Sequence, residues 1–154
     1  MSEPVWSTSC PDWETKIVNR QSLVPFAPLF PEEARACMQV MGDLRIVDAP
    51  GSPLISESCA PWIDDLGSAI FGAYNADTGE RLIKEFFLLI SKKNAKSTIA
   101  AAIMLTVLIR NWRQSAEFII LAPTIEVANN AYAPARDMGK HDEGLSALLP
   151  VQVQ

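Results

Sequence analysis

Between Phe86 and Leu108 the chain reads FFLLISKKNAKSTIAAAIMLTVL: an apolar run, a short basic loop, then a long apolar stretch with helix periodicity. Strand, loop and helix in that order form the architecture of a nucleotide-phosphate cradle, in which loop N–H groups and the N-terminus of the helix face the phosphates. Lys96-Ser97-Thr98 stands where such a loop carries a lysine for the β/γ oxygens and a hydroxyl for Mg²⁺. The pattern G-x-x-x-x-G-K-[ST] is met only in part. Aligning Lys96-Ser97 on its end puts Ile90 at the first glycine and Ala95 at the second. Ala95 adds one methyl group, tolerable unless the position needs positive φ. Ile90 reads as the end of a strand. The same residues also fit an exposed, lysine-rich turn between a buried strand and a buried helix, its charges merely solvated.

Bulk properties narrow the class. The 154 residues suit one modest domain, and 49% apolar content is enough for a real core. A net charge of −5 gives no overall basic field toward nucleic acid or anionic lipid. Cys10, Cys37 and Cys59 are odd in number and lack C-x-x-C spacing, which fits thiols in a reducing cytosol better than a disulfide framework or zinc site. The start, MSEPVWSTSCPDW, has neither the basic region nor the apolar stretch of a signal peptide. Ile99 to Ile109 is too short to span a bilayer. The expectation is a soluble cytoplasmic protein without membrane contact.

Two zones are expected. Residues 1–79 form a mainly helical, proline-rich and irregular segment, with helices over Asp12–Arg20, from Pro31 to about Met41, and over Trp62–Ala73. Asn75 to Gly79 is a turn. Residues 80–154 read as the start of an α/β domain, a partial P-loop ATPase. Its expected parts are a strand over Arg81–Ile90, a helix after Lys96, a strand over Glu117–Ala122 and a helix from Ile125 to about Ala135 capped by Thr124. Strand–helix–strand implies a parallel pair with a right-handed crossover.

PW at 61–62, FG at 71–72, TGER at 78–81, EFFLLISKKNAKST at 85–98 and AEFIILAPTIEVANNAY at 116–132 follow one another along the chain. This order resembles the N-terminal ATPase region of phage terminase large subunits, the motors that thread viral DNA into a preformed capsid. DWE near the start and PLFP at 28–31 add to the match. The branch it resembles most carries a proline-arginine-lysine-asparagine-glycine-lysine-serine loop, to which SKKNAKS at 91–97 is similar. The resemblance implies a loop of Lys92, Lys93, Asn94, Ala95, Lys96, Ser97 and Thr98 around ATP. Lys96 would contact the β/γ-phosphates as the residue that supports catalysis, Ser97 would ligate Mg²⁺, and Thr98 would cap the helix or lie near the α-phosphate. Lys92 stands where the family has an arginine, keeping the charge but losing the planar fork. Trp62 falls in the adenine motif, where Ile63 replaces the family's glutamine; its other reading is a partly buried packing residue. Leu121 to Thr124 resembles the strand-end motif that couples nucleotide state to DNA, with a plain strand end and helix cap as the alternative. In the intact family protein the partners are viral DNA, the portal protein and the terminase small subunit.

Hydrolysis needs an apolar strand ending in Asp beside a Glu, the Walker B motif, and nothing after Ala122 offers it. Asp142-Glu143 follows a polar stretch, and Asp64-Asp65 precedes the loop on a helix surface. The metal-binding carboxylates of a terminase nuclease are also missing. The expectation is therefore a truncated or separately encoded N-terminal piece that binds nucleotide weakly and does not turn it over alone. Two alternatives remain: a fragment of another helicase-like P-loop ATPase, or a non-catalytic remnant or interaction module. His141, the single histidine, reads as a surface helix residue.

Overall fold

A computed structural model describes residues 7–111 and 117–148. Their secondary structure is helical: α1 (Trp13–Val18), α2 (Pro31–Asp43), α3 (Ile55–Ser58), α4 (Pro61–Phe71), α5 (Lys96–Ile109), α6 (Ile125–His141) and α7 (Glu143–Leu148). Strand pairing among the described residues is confined to two isolated antiparallel bridges, Arg45 with Leu54 and Tyr74 with Arg81. These residues form two compact units. One takes the chain up to Met38 together with Ala60–Phe87, and the other takes Gln39–Cys59 together with the chain from Leu88 onward.

The absence of a sheet among the described residues corrects the expected fold class, the parallel sheet of a P-loop α/β domain. Of the strand expected over Arg81–Ile90, only Arg81 makes a bridge. The segment expected as a second strand, Glu117–Ala122, makes none. Continuous apolar character from Phe86 was the basis for the first strand, on the argument that such a run is covered on two faces. Here Phe87, Leu89 and Leu121 are 89%, 82% and 90% exposed. Apolar continuity sets a preference for burial, but a ladder also needs a second backbone in register, and neither segment has one.

In the first unit, α2 and α4 start as their sequences dictate. Pro31 and Pro61 occupy first-turn positions where a missing N–H costs nothing, and Glu32, Glu33 and Asp64 lie near the positive dipole ends. The core gathers Ala34 and Cys37 from α2, Ile63, Ala69 and Phe71 from α4, and Ala73 and Ile83 beyond it. Gly72, just past α4, allows close approach of the proline-rich loop. Its carbonyl accepts from the Phe30 N–H at 3.0 Å. A Cβ there would come within 2.6 Å of Pro28 Cβ, 2.9 Å of the Ser68 carbonyl oxygen and 3.1 Å of Ala34 Cβ.

A tight turn follows, as the sequence indicates. Asn75 Oδ1 accepts from the Asp77 and Thr78 N–H groups at 2.9 and 3.1 Å, and Gly79 takes a φ of +66°. Arg81 locks the turn. Its Nη1 donates to the Tyr74 hydroxyl at 2.8 Å, its Nε donates to the Ile83 carbonyl at 3.0 Å, and the guanidinium lies over the Tyr74 and Phe86 rings.

In the second unit α5 packs on α6, and α6 on α7. α5 buries Ile99, Ala101, Ala102, Leu105 and Thr106, while α6 buries Ala135, Met138 and Gly139. Ala101 and Ala102 are wholly buried. Thr124 caps α6 as expected, its Oγ1 accepting from the Val127 N–H at 3.3 Å. That helix continues through Pro134 to His141, beyond the end expected at Ala135. α3 is short and held near its start: Glu57 Oε2 accepts from the Leu54 N–H at 3.2 Å, and Ser56 Oγ donates to the Gly42 carbonyl at 3.0 Å. Among the described residues, no helix is long and apolar enough to cross a membrane.

Two substitutions test this packing in opposite directions. Gly72→Ala forces a methyl group against the Ser68 carbonyl and two small side chains that cannot rotate away. It is expected to cost about 1–3 kcal/mol. Thr106 is fully buried with Oγ1 unpartnered. Thr106→Val removes that desolvated hydroxyl at nearly constant shape and is expected to stabilise by about 1 kcal/mol. Urea unfolding monitored by helical circular dichroism measures both, and a loss of stability in Thr106→Val would show that the hydroxyl is satisfied.

Candidate functional site

The loop of residues 91–98 is shaped by two non-glycine residues in the left-handed region. Lys93 has a φ of +65°, and Ala95, at the N-cap of α5, has φ +49° and ψ 28°. Ala95 thus occupies the second glycine position of the P-loop pattern and takes the conformation that makes glycine useful there. Its methyl group is not neutral. A left-handed L-residue costs roughly 1–2 kcal/mol, so the loop needs compensating contacts.

Two side chains supply them. Asn94 Nδ2 donates to Ser91 Oγ at 2.6 Å. Lys96 reaches back over the loop, and its Nζ donates to the Ser91 carbonyl at 2.6 Å, with the Ile90 carbonyl at 3.4 Å. A charge-assisted bond of this kind is stronger than a neutral one. It ties the first turn of α5 to the residue where the loop begins. The helix starts at once, the Ile99 N–H donating to the Ala95 carbonyl at 2.9 Å.

Lys92, Lys93 and Ser97 are exposed, while Lys96 and Thr98 are half-buried. None of the three lysines pairs with a carboxylate among the described residues. The first turn of α5 presents N–H groups without intrahelical acceptors, at the positive end of the helix dipole. The arrangement therefore offers an anion three ammonium groups and a row of amides. Lys96 has three N–H donors in all, so an anion would meet the remaining donor or displace a carbonyl. No group of three or more His, Cys, Asp or Glu among the described residues could hold a metal ion. A divalent cation here would be held by the oxygens of its own anion, with the Ser97 hydroxyl as the protein ligand.

The remaining sequence candidates fall elsewhere. Trp62 is the second residue of α4, half-buried in the first unit, whereas the loop belongs to the second. Ile63, where the terminase motif has glutamine, is a core residue of that unit at 5% exposure, so it presents no group to a base. Asp64 and Asp65 lie exposed on α4. Asp142 caps α7, its Oδ1 accepting from the Leu145 N–H at 2.9 Å, and His141 is exposed at the end of α6. Sequence reasoning found the charged residues of the loop but missed the backward reach of Lys96 and the left-handed backbone. The one local signal was Asn94 amid the lysines, since asparagine favours turns by side-chain bonding to nearby groups.

No protein-family model, curated protein or solved structure matches the chain.

Ala95→Gly removes the left-handed penalty at the N-cap and regains part of it as unfolded-chain entropy. The expected net stabilisation is roughly 0.5–1 kcal/mol, read from thermal or urea unfolding. A destabilised Ala95→Gly variant would show that residue 95 is not left-handed in solution.

Proposed function

We propose that the loop of residues 91–98 binds the triphosphate of ATP with Mg²⁺. On this reading the chain is the N-terminal, ATP-binding part of a phage terminase large subunit, working in the bacterial host cytoplasm. Viral DNA, the portal protein and the terminase small subunit are then partners of the intact protein. The observation that carries the reading is the lysine triad at the amide end of α5, with no carboxylate paired to it among the described residues. Three ammonium charges around one loop, none facing a carboxylate among the described residues, favour a polyanion over a solvated turn. The order of motifs from Pro61-Trp62 to Asn130-Ala131-Tyr132 supports the family assignment.

Each residue has a definable task. Lys96 would exchange the Ser91 carbonyl for a β- or γ-phosphate oxygen, gaining a charge–charge contact for a charge–dipole one. Lys92 and Lys93 would add charge without fixed geometry. The Ser97 hydroxyl would complete the shell of the Mg²⁺ that arrives with the nucleotide. No paired acid orients an attacking water among these residues, so the expected activity is binding without turnover.

A fluorescent ATP analogue titrated in the presence of Mg²⁺ tests this. Wild type should bind. Lys96→Met, which keeps the aliphatic stem, should weaken binding at least about tenfold, equivalent to about 1.4 kcal/mol. Ser97→Ala should keep metal-free binding and lose its enhancement by Mg²⁺. Equal binding by wild type and Lys96→Met, or no binding by either, would remove the basis of the assignment.

A further inference from the structure

Two short segments of the second unit expose apolar side chains and pair with no other backbone among the described residues, the Ile90 and Ser91 carbonyls accepting only from side chains. In the segment from Leu88 to Ser91, Leu89 is 82% exposed while Leu88 is only 36% exposed. In the segment from Glu117 to Ala122, Ile119 and Leu121 are 70% and 90% exposed, against 36% for Phe118. Exposure alternates with a period of two, the signature of a strand with one face turned outward. Among the described residues, neither segment makes a backbone–backbone hydrogen bond. The apolar cores of both, Leu88 to Ile90 and Phe118 to Ala122, hold no charge, proline or glycine. Uncharged, β-prone stretches with free backbone groups are templates for pairing with another chain.

Charge at the segment ends selects the partner and its direction. Lys92 and Lys93 follow the first segment, and Glu117 opens the second. Antiparallel pairing of the first segment of one copy with the second segment of another puts the lysine end beside the glutamate. Parallel pairing would instead leave Lys92 and Lys93 at the end of the pair remote from Glu117. A twofold operation forms the same contact twice, because each copy supplies both segments.

We infer that the chain self-associates as a twofold pair, Leu88–Ser91 of each copy lying antiparallel to Glu117–Ala122 of the other. The inference shares Ser91 and Lys92 with the phosphate loop but does not require that a nucleotide bind there. Leu89, Ile119 and Leu121 are not part of the phosphate loop.

Sedimentation velocity of the full 154-residue chain over a wide concentration range tests it. Wild type should pass from one copy to two as concentration rises. The double variant Ile119→Lys, Leu121→Lys should remain monomeric with unchanged helical circular dichroism, since both side chains are already exposed. Glu117→Lys should weaken the pair, and Glu117→Lys combined with Lys92→Glu should restore it. Four results would overturn the inference: a wild type monomeric throughout, undiminished association of the double-lysine variant, a charge swap that restores nothing, or open-ended growth beyond two copies.

Discussion

The ammonium of Lys96, held at 2.6 Å by the Ser91 carbonyl, is the contact on which the geometry of the loop depends. It joins the first turn of α5 to the residue that opens the loop and so closes a span of five residues. Within that span two L-residues, Lys93 and Ala95, hold left-handed backbone. Such conformations persist only where their surroundings over-determine them. The staple from Lys96 and the bridge from Asn94 to Ser91 are those surroundings. Without them, α5 would start from a frayed and unstrained turn, and the lysines would have no common focus.

The other end of that helix rests on small side chains. Ala101 and Ala102 are wholly buried and Gly139 of α6 is buried too, so both α5 and α6 have faces on which backbones can approach. Close approach improves dispersion contact but leaves little room to solvate a polar atom, and Thr106 carries that consequence as an unpartnered hydroxyl. α5 is thus apolar on almost every side of its later turns and charged at its beginning. The same helix that packs the unit also carries the anion-facing turn.

How much of this was legible in the sequence depended on whether the cause was local. Pro31 and Thr124 mark helix starts through chemistry confined to one turn, and α2 and α6 begin where those residues place them. The turn at Asn75 is equally local. α6 ran past its expected end because tertiary packing of Met138 and Gly139 outweighs the interruption at Pro134. α3 escaped notice because its stability comes from Ser56 reaching Gly42, a partner fourteen residues away in sequence. The two expected strands failed for a related reason. β-propensity and apolar continuity are properties of one segment, whereas a ladder is a property of two. At the site, Lys96, Ser97 and their neighbours were legible as charge and hydroxyl. The positive φ of Ala95 was not, because alanine carries no sign of it.

Ser91 links the two surfaces that the structure leaves unsatisfied. Its carbonyl accepts from Lys96 and its hydroxyl accepts from Asn94, so its side chain and its carbonyl are both committed to the loop. The residues before it, Leu88 to Ile90, have apolar side chains and make no backbone–backbone hydrogen bond among the described residues. An anion that drew Lys96 away would free the Ser91 carbonyl and add one acceptor to that neighbouring row. A strand laid along the row would compete for the same carbonyl. Charge at the loop and backbone pairing beside it therefore act on a single oxygen. The two cannot be energetically independent, whichever partner arrives first.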